Sequence, residues 1–249
     1  MARQTGLLKI KGTLDNVTFY KSKDGHIAKM KTSVDAARIA NDPAFARTRE
    51  NGKEFGNSAS AGKLLRDSLR TITTNIGSTN NVSRITKLMS GIKNLDTTSV
   101  RGQRSVGVGI GNASAKLLLK GFDFNVGAML GSMLYKPYVL VSTTGVITIT
   151  GFTPATDVNW PSGATHLSIT GGYANINFAT NVVDFKLTNV VNLASVAAAS
   201  NVTLTPTAVP AGTGTKVFLL KLEYFQQVNG VQYPLKNGSY NALKVIEVA

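Results

Sequence analysis

Apolar and polar positions along the chain follow two different rhythms, one before and one after about residue 120. Near the start, residues 7–11 and 17–20 predict short strands, separated by turn signals at Gly12 and Asp15-Asn16. Lys23-Asp24-Gly25 predicts a hairpin turn, because Asp-Gly tolerates the positive φ of tight turns. Residues 26–32, with Ile27 and Met30 among Lys29 and Lys31, are then the return strand. A ribbon of two or three strands is marginal by itself. Helical signals follow. Asp42-Pro43 pairs an N-cap with an N1 proline ahead of residues 44–50. Between residues 60 and 76, Leu65, Leu69, Ile72 and Ile76 recur at i, i+4, i+7 and i+11, a helical stripe. Residues 81–95 repeat it with Val82, Ile85, Met89 and Ile92. Residues 97–111 return to small and turn-forming types.

Beyond Gly121 the pattern is wholly β. Strands are predicted at 122–125, 138–142, 146–150, 166–170, 174–178, 182–187, 202–206, 217–226, 231–235 and 242–248. Thr143-Thr144-Gly145, Gly171-Gly172, Asn229-Gly230 and Asn237-Gly238 sit between them as turns. Ile147-Thr148-Ile149-Thr150 alternates cleanly, so one face of that strand is buried and the other wet. Many short strands at such spacing imply an antiparallel sandwich or barrel. The predicted fold is therefore α+β. A basic hairpin-plus-helices unit, residues 1–120, precedes an antiparallel β-sandwich, Ig-like or jelly-roll-like, over residues 121–249.

Charge sharpens the division. The 249-residue chain carries a net +14. Residues 1–120 hold 21 Lys and Arg against 8 Asp and Glu, whereas residues 121–249 hold 6 against 5. Aromatics run the other way: only Phe19, Tyr20, Phe45 and Phe55 fall in the first part. The second part can build a conventional core. The first buries less per residue and calls for a partner surface.

Little in the sequence points to catalysis. With no cysteine, disulfides, thiolate metal sites and cysteine nucleophiles are excluded. His26 and His166 are far apart in sequence; the first is expected as a solvated edge residue and the second as a structural strand residue. Gly107-Val108-Gly109-Ile110-Gly111-Asn112 has asparagine where a dinucleotide fingerprint needs its last glycine, so it is predicted to be a hinge between the two units. Carboxylates beyond Gly121 are scattered, with no pair suited to sugar hydrolysis. No catalytic, cofactor-binding or metal-binding residue is assigned. A sugar-binding sandwich would want exposed rings, and Trp160 is the sole tryptophan. The N-terminus has no signal-peptide pattern, and residues 190–199 fall far short of the ~20 apolar residues of a membrane span. The expected location is the cytoplasm, or a virion packaged from it.

The basic helices are the one constellation with a claim on function. Lys63, Arg66 and Arg70 share a face of the first helix, and Arg84, Lys87 and Lys93 lie on the second. Such rows neutralise phosphates or carboxylates without sequence-specific geometry. A +13 excess over 120 residues needs something anionic to offset its self-repulsion. Aromatics for base stacking are nearly absent there, which favours phosphate or protein contact over base readout.

The stretches NVTFYKSKDG (Asn16 to Gly25) and RIANDPAFARTREN (Arg38 to Asn51) resemble a family without established activity found in Bacteroidota and their phages. Gly62-Lys63-Leu64-Leu65-Arg66 and residues 225–238 are similar to that family too, so the resemblance spans nearly the whole chain. Its association with phage-like genes implies a virion component: capsid, head-tail junction or tail. It transfers no catalytic or binding residue. The expected function is a non-enzymatic, homo-oligomeric assembly protein that docks on itself, on other virion proteins or on nucleic acid. The competing expectation is a cytoplasmic nucleic-acid-binding protein whose basic helices track the phosphate backbone.

Overall fold

Two turn signals build the first element of the structure, a computed structural model that describes residues 2–30, 34–77 and 80–249. Asp15 and Gly25 both take positive φ, 49° and 105°. They connect β2 (Gly12–Leu14), β3 (Val17–Ser22) and β4 (Gly25–Met30), and β1 (Ala2–Arg3) adds to the outer edge of β4. The sheet is antiparallel in the order β1-β4-β3-β2. The strand expected at residues 7–11 is instead a loop. The Gln4 side chain occupies the backbone groups of Ile10: Oε1 accepts from its N–H and Nε2 donates to its carbonyl, while Lys9 Nζ bridges the Gln4 and Gly6 carbonyls. The last residues of the expected return strand, Lys31 and Thr32, lie outside the described residues. Helix α1 (Ala36–Asn41) is capped by Asp35, and Asp42 caps a single turn, Pro43–Phe45, with its Oδ1 accepting from the Ala44 N–H at 2.9 Å.

The chain divides into units 1–51 and 52–249, so the boundary is not at Gly121. It falls inside α2 (Ala46–Ser68). The physical reason is a shared core. Leu65, Leu69, Ile72, Ile85, Met89 and Ile92 from the helices pack with Ala174, Ile176, Val217, Leu219, Leu243 and Val245 from the strands. Neither half of that list can leave water without the other.

In the second unit the helical layer comprises the rest of α2, then α3 (Arg70–Thr73), α4 (Asn81–Asn94), α5 (Val106–Gly109) and α6 (Ala113–Leu119). After it come α7 (Leu130–Met133), β5 (Val139–Val141), β6 (Val146–Phe152) and α8 (Pro154–Asp157). The long strands are β7 (His166–Asn177), β8 (Val182–Ala194) and β10 (Thr215–Val228), with β9 (Ser200–Leu204), β11 (Val231–Pro234) and β12 (Ala242–Val248) shorter. All pairings are antiparallel. One sheet runs β11-β10-β7-β8 with β12 also on β10, and a smaller one runs β5-β6-β9. The large sheet has helices on one face and the small sheet on the other, where Ile147, Ile149, Val202 and Leu204 meet Leu167, Ile169, Phe218 and Leu220. This is an α+β fold with a sheet buried on both sides.

That double burial explains one difference from the sequence expectation. Gly171-Gly172 is not a turn between two strands but the middle of β7, at a register shift in its pairing with β8. A Cβ on Gly171 would lie 3.0 Å from Ile147 Cδ1 in the small sheet, and one on Gly172 would lie 2.9 Å from Ile72 Cδ1 in the helical layer. The two glycines let both layers approach the sheet at one point. Residues 122–125 are likewise no strand; Asp123 makes an isolated bridge with Lys244.

Candidate functional site

The structure splits the six predicted basic residues into two groups. Lys63 and Arg70 flank Asp67 on the outer face of the first helical stretch, at 3.4 and 3.1 Å, and both are highly exposed. Arg70, then Lys63, holds the Asp67 carboxyl below its ordinary range. Lys87, on α4, is also exposed. These three can meet an anionic partner.

The other three turn partly inward. Arg84 is half-buried, donates from Nη2 to the Asp123 carbonyl at 2.6 Å and from Nη1 to the Phe124 carbonyl at 3.3 Å, and lies 4.6 Å from the Phe122 ring centroid. Arg66 is half-buried, and its Nη1 is buried with no hydrogen-bond partner. Lys93 has an 11% exposed side chain and donates to Glu54 Oε2 at 2.5 Å. Glu54 also accepts from the Gly102 N–H at 2.8 Å and Arg104 Nε at 3.1 Å. The Lys93 hydrogen bond is the largest influence lowering the Glu54 carboxyl to about 2, with Gly102 N–H and Arg104 acting in the same direction. Lys93 is thus a clamp between α4 and α2 rather than a docking residue. Asp96 forms a neighbouring clamp. Burial pushes its pKa up, but N–H groups of Ser99, Ser105 and Thr98 outweigh it and hold the carboxyl well below the usual range.

Neither Glu54 nor Asp96 is among the residues predicted from sequence. The partners of Glu54 lie 39 to 50 residues away, so neither periodicity nor a motif marks it, whereas Asp96 accepts from Thr98 and Ser99 just after it, a local turn signal that the sequence does carry.

Two concavities open in the helical layer. Between α4 and α6, Arg84, Lys87, Leu88, Gly91, Leu118 and Phe122 enclose about 420 Å³. At one end of the sheet, Gly107, Gly111, Lys116, Asn177, Thr213 and Thr215 help to line about 380 Å³. The glycine segment of this second site is not a hinge. Gly107 lies where a Cβ would be 3.0 Å from the Ala179 backbone, and one on Gly109 would overlap the Ile92 carbonyl oxygen. The glycines are there for close packing of α5 against α4 and the β7–β8 turn.

The N-terminal unit has a different surface. No described residue in it is buried. Register places Ala2, Leu14, Val17, Phe19, Ala28 and Met30 on one face of its sheet, together with Gly12 and, at one end, Lys21 and His26. Arg3, Thr13, Thr18, Tyr20 and Lys29 share the other with Ile27. One face is mostly apolar and the other mostly polar, as in half of a sandwich whose second half is missing. Leu7 is 104% exposed and Leu8 89%, side by side in the loop after β1. His26 lies on this sheet with Nδ1 buried and unpartnered, so it is not simply a solvated edge residue; His166 Nδ1 lies 3.0 Å from Thr165 Oγ1.

These features define an α+β chain with a fully cored second unit and an N-terminal sheet without one. No protein-family model matches it, and neither a curated protein nor a solved structure does so. Among the described residues, no helix is long and apolar enough to cross a membrane.

Proposed function

We propose that the protein is a non-enzymatic structural assembly protein, a bacteriophage virion component of capsid, head-tail junction or tail. Its N-terminal unit docks on neighbouring subunits, and its exposed cations face acidic protein surface or nucleic acid. The observation that carries this reading is the N-terminal unit itself: a four-stranded sheet with a mostly apolar face, two highly exposed leucines and no buried residue among those described. A ribbon of this size needs a second layer to be stable. The second unit, with cores on both faces of its sheet, needs none.

The test leaves the fold alone. Leu7→Asp with Leu8→Asp changes only side chains already in water. A buried leucine is worth about 1.5–3 kcal/mol, so losing both should weaken association by about 100-fold or more. Sedimentation at rising concentration and negative-stain microscopy should show the parent assembling and the double variant not. A strictly monomeric parent that binds duplex DNA with steep salt dependence would replace this reading with the nucleic-acid-binding one.

The charge test is narrower than the sequence suggested. Reversal of Arg66 disturbs a half-buried group, so Lys63→Glu, Arg70→Glu and Lys87→Glu are the informative set. Single exposed pairs are worth only ~0.2–1 kcal/mol. The triple variant should therefore lose measurable affinity for an anionic partner, with singles close to the parent.

A further inference from the structure

The groove between α4 and α6 is lined by the apolar Leu88, Leu118 and Phe122 and by the cations Arg84 and Lys87. We infer that it docks an acidic amphipathic segment of another protein, with apolar side chains against Leu88, Leu118 and Phe122 and carboxylates towards the exposed Lys87, while the carbonyl-bound Arg84 adds positive field without a direct contact. This goes beyond the assembly role, because it holds whichever surface the N-terminal sheet covers.

Three observations carry the inference. The first is Gly91. It lies within the 14-residue helix α4, where glycine is destabilising relative to alanine. The fold does not require it there: a Cβ would sit 3.6 Å from Leu118 Cδ1, ordinary van der Waals contact, and its φ is not positive. What glycine provides at this position is depth in the groove.

The second is the exposed apolar surface. Leu118 is 47% exposed and its neighbour Leu117 67%, on a helix whose Ala115 and Leu119 already fill the core. The third is charge. No residue lining the groove is acidic. The hydrogen bonds of Arg84 go to carbonyls and to the Asn81 amide, which leave its positive charge uncompensated by a carboxylate. Lys87 makes no ion pair among the described residues.

A second copy of the chain is disfavoured as occupant, because a protein of net charge +14 brings like charge to a basic groove. Nucleic acid gains from the two cations but nothing from an apolar lining. An amphipathic helix with leucines at helical spacing and glutamates between them uses both features, as helix-in-groove recognition does.

The probe is such a peptide, fluorescein-labelled, with a partner peptide carrying lysine at every glutamate. Both are titrated against the full-length chain by anisotropy. The glutamate peptide should bind at least about tenfold more tightly than the lysine peptide. Gly91→Leu, which fills the groove from within a helix that accepts leucine readily, should weaken it about tenfold. Lys87→Glu, a surface change that keeps the groove open, should weaken it several-fold and flatten its salt dependence. Equal binding of the two peptides, or unchanged affinity in both variants, would overturn the inference. So would a change in sedimentation of the unliganded protein on Gly91→Leu, which would assign the groove to a second copy. The assembly reading is tested at Leu7 and Leu8, so either can fail without the other.

Discussion

Gly109→Ala is expected to lose about 3 kcal/mol or more of folding free energy, although it adds a single methyl group. The new Cβ would overlap the carbonyl oxygen of Ile92 and come within 3.0 Å of its carbonyl carbon. Overpacking a core ordinarily costs ~1–3 kcal/mol, because side chains move aside. Here the obstacle is backbone of α4, and Ile92 is itself wholly buried. Relief requires α5 to move away from α4, which breaks the contacts of Val106 and Ile110 with the same core. For a chain of this length, ~2–4 °C of melting temperature is lost per kcal/mol, so thermal unfolding followed by circular dichroism should start about 6–12 °C lower. Gly91→Ala is the control, since its Cβ meets only ordinary contact and it should raise stability slightly. If both variants melt with the parent, α5 is not packed against α4 as described.

Glu54→Ala should be as damaging for the opposite reason, too little rather than too much. Glu54 is 4% exposed and receives Lys93, Arg104 and the Gly102 N–H. Removing one member of a buried charge cluster leaves the others desolvated and unpaired, at a cost of about 3–5 kcal/mol. The loss depends on pH in a defined sense. The native carboxyl titrates at about 2, below its ordinary value. The unfolded chain's glutamate titrates near ~4.3. A depressed native value contributes stability that is fully present above the unfolded value and is lost as pH falls towards the native one. The gap between parent and variant should therefore be widest at neutral pH and narrow between about pH 4.5 and 2. Urea unfolding at a series of pH values measures it. A gap of constant size across that range would mean that the carboxylate is not the ionised centre of this clamp.

Several elements were legible in the order of residues. Leu65, Leu69, Ile72, Ile85, Met89 and Ile92 are buried as the 3.6-residue stripe requires, whereas Ile76, beyond the end of α3, is only half-buried and Val82, in the first turn of α4, is 59% exposed. Strand β12 occupies residues 242–248 as predicted, and Asn229-Gly230 is a turn with φ of 50° and 83°. These depend on a repeat or on a local backbone demand, and both are written in neighbouring letters. The middle of α2, residues 51–59, was not legible. Its buried residues are Glu54 and Ser58, with no large apolar side chain among them. The acid is buried because Lys93 and Arg104 satisfy it, and those lie 39 and 50 residues further on.

The candidate site divides in the same way. Sequence alone determined the excess of positive charge, the poverty of the N-terminal ribbon in core-forming residues and the helical spacing of the cations. Only the tertiary structure decided which cations face water: Lys63, Arg70 and Lys87 do, while Lys93 is spent on Glu54 and Arg84 on backbone carbonyls. It also decided what the glycines mean. Gly107, Gly109, Gly171 and Gly172 suggested a hinge or a turn, yet each is a point where another element comes within a side chain's width of the backbone. The same letter serves a flexible turn and a tight crossing, because both exclude a Cβ. Which one applies is set by an element distant in sequence.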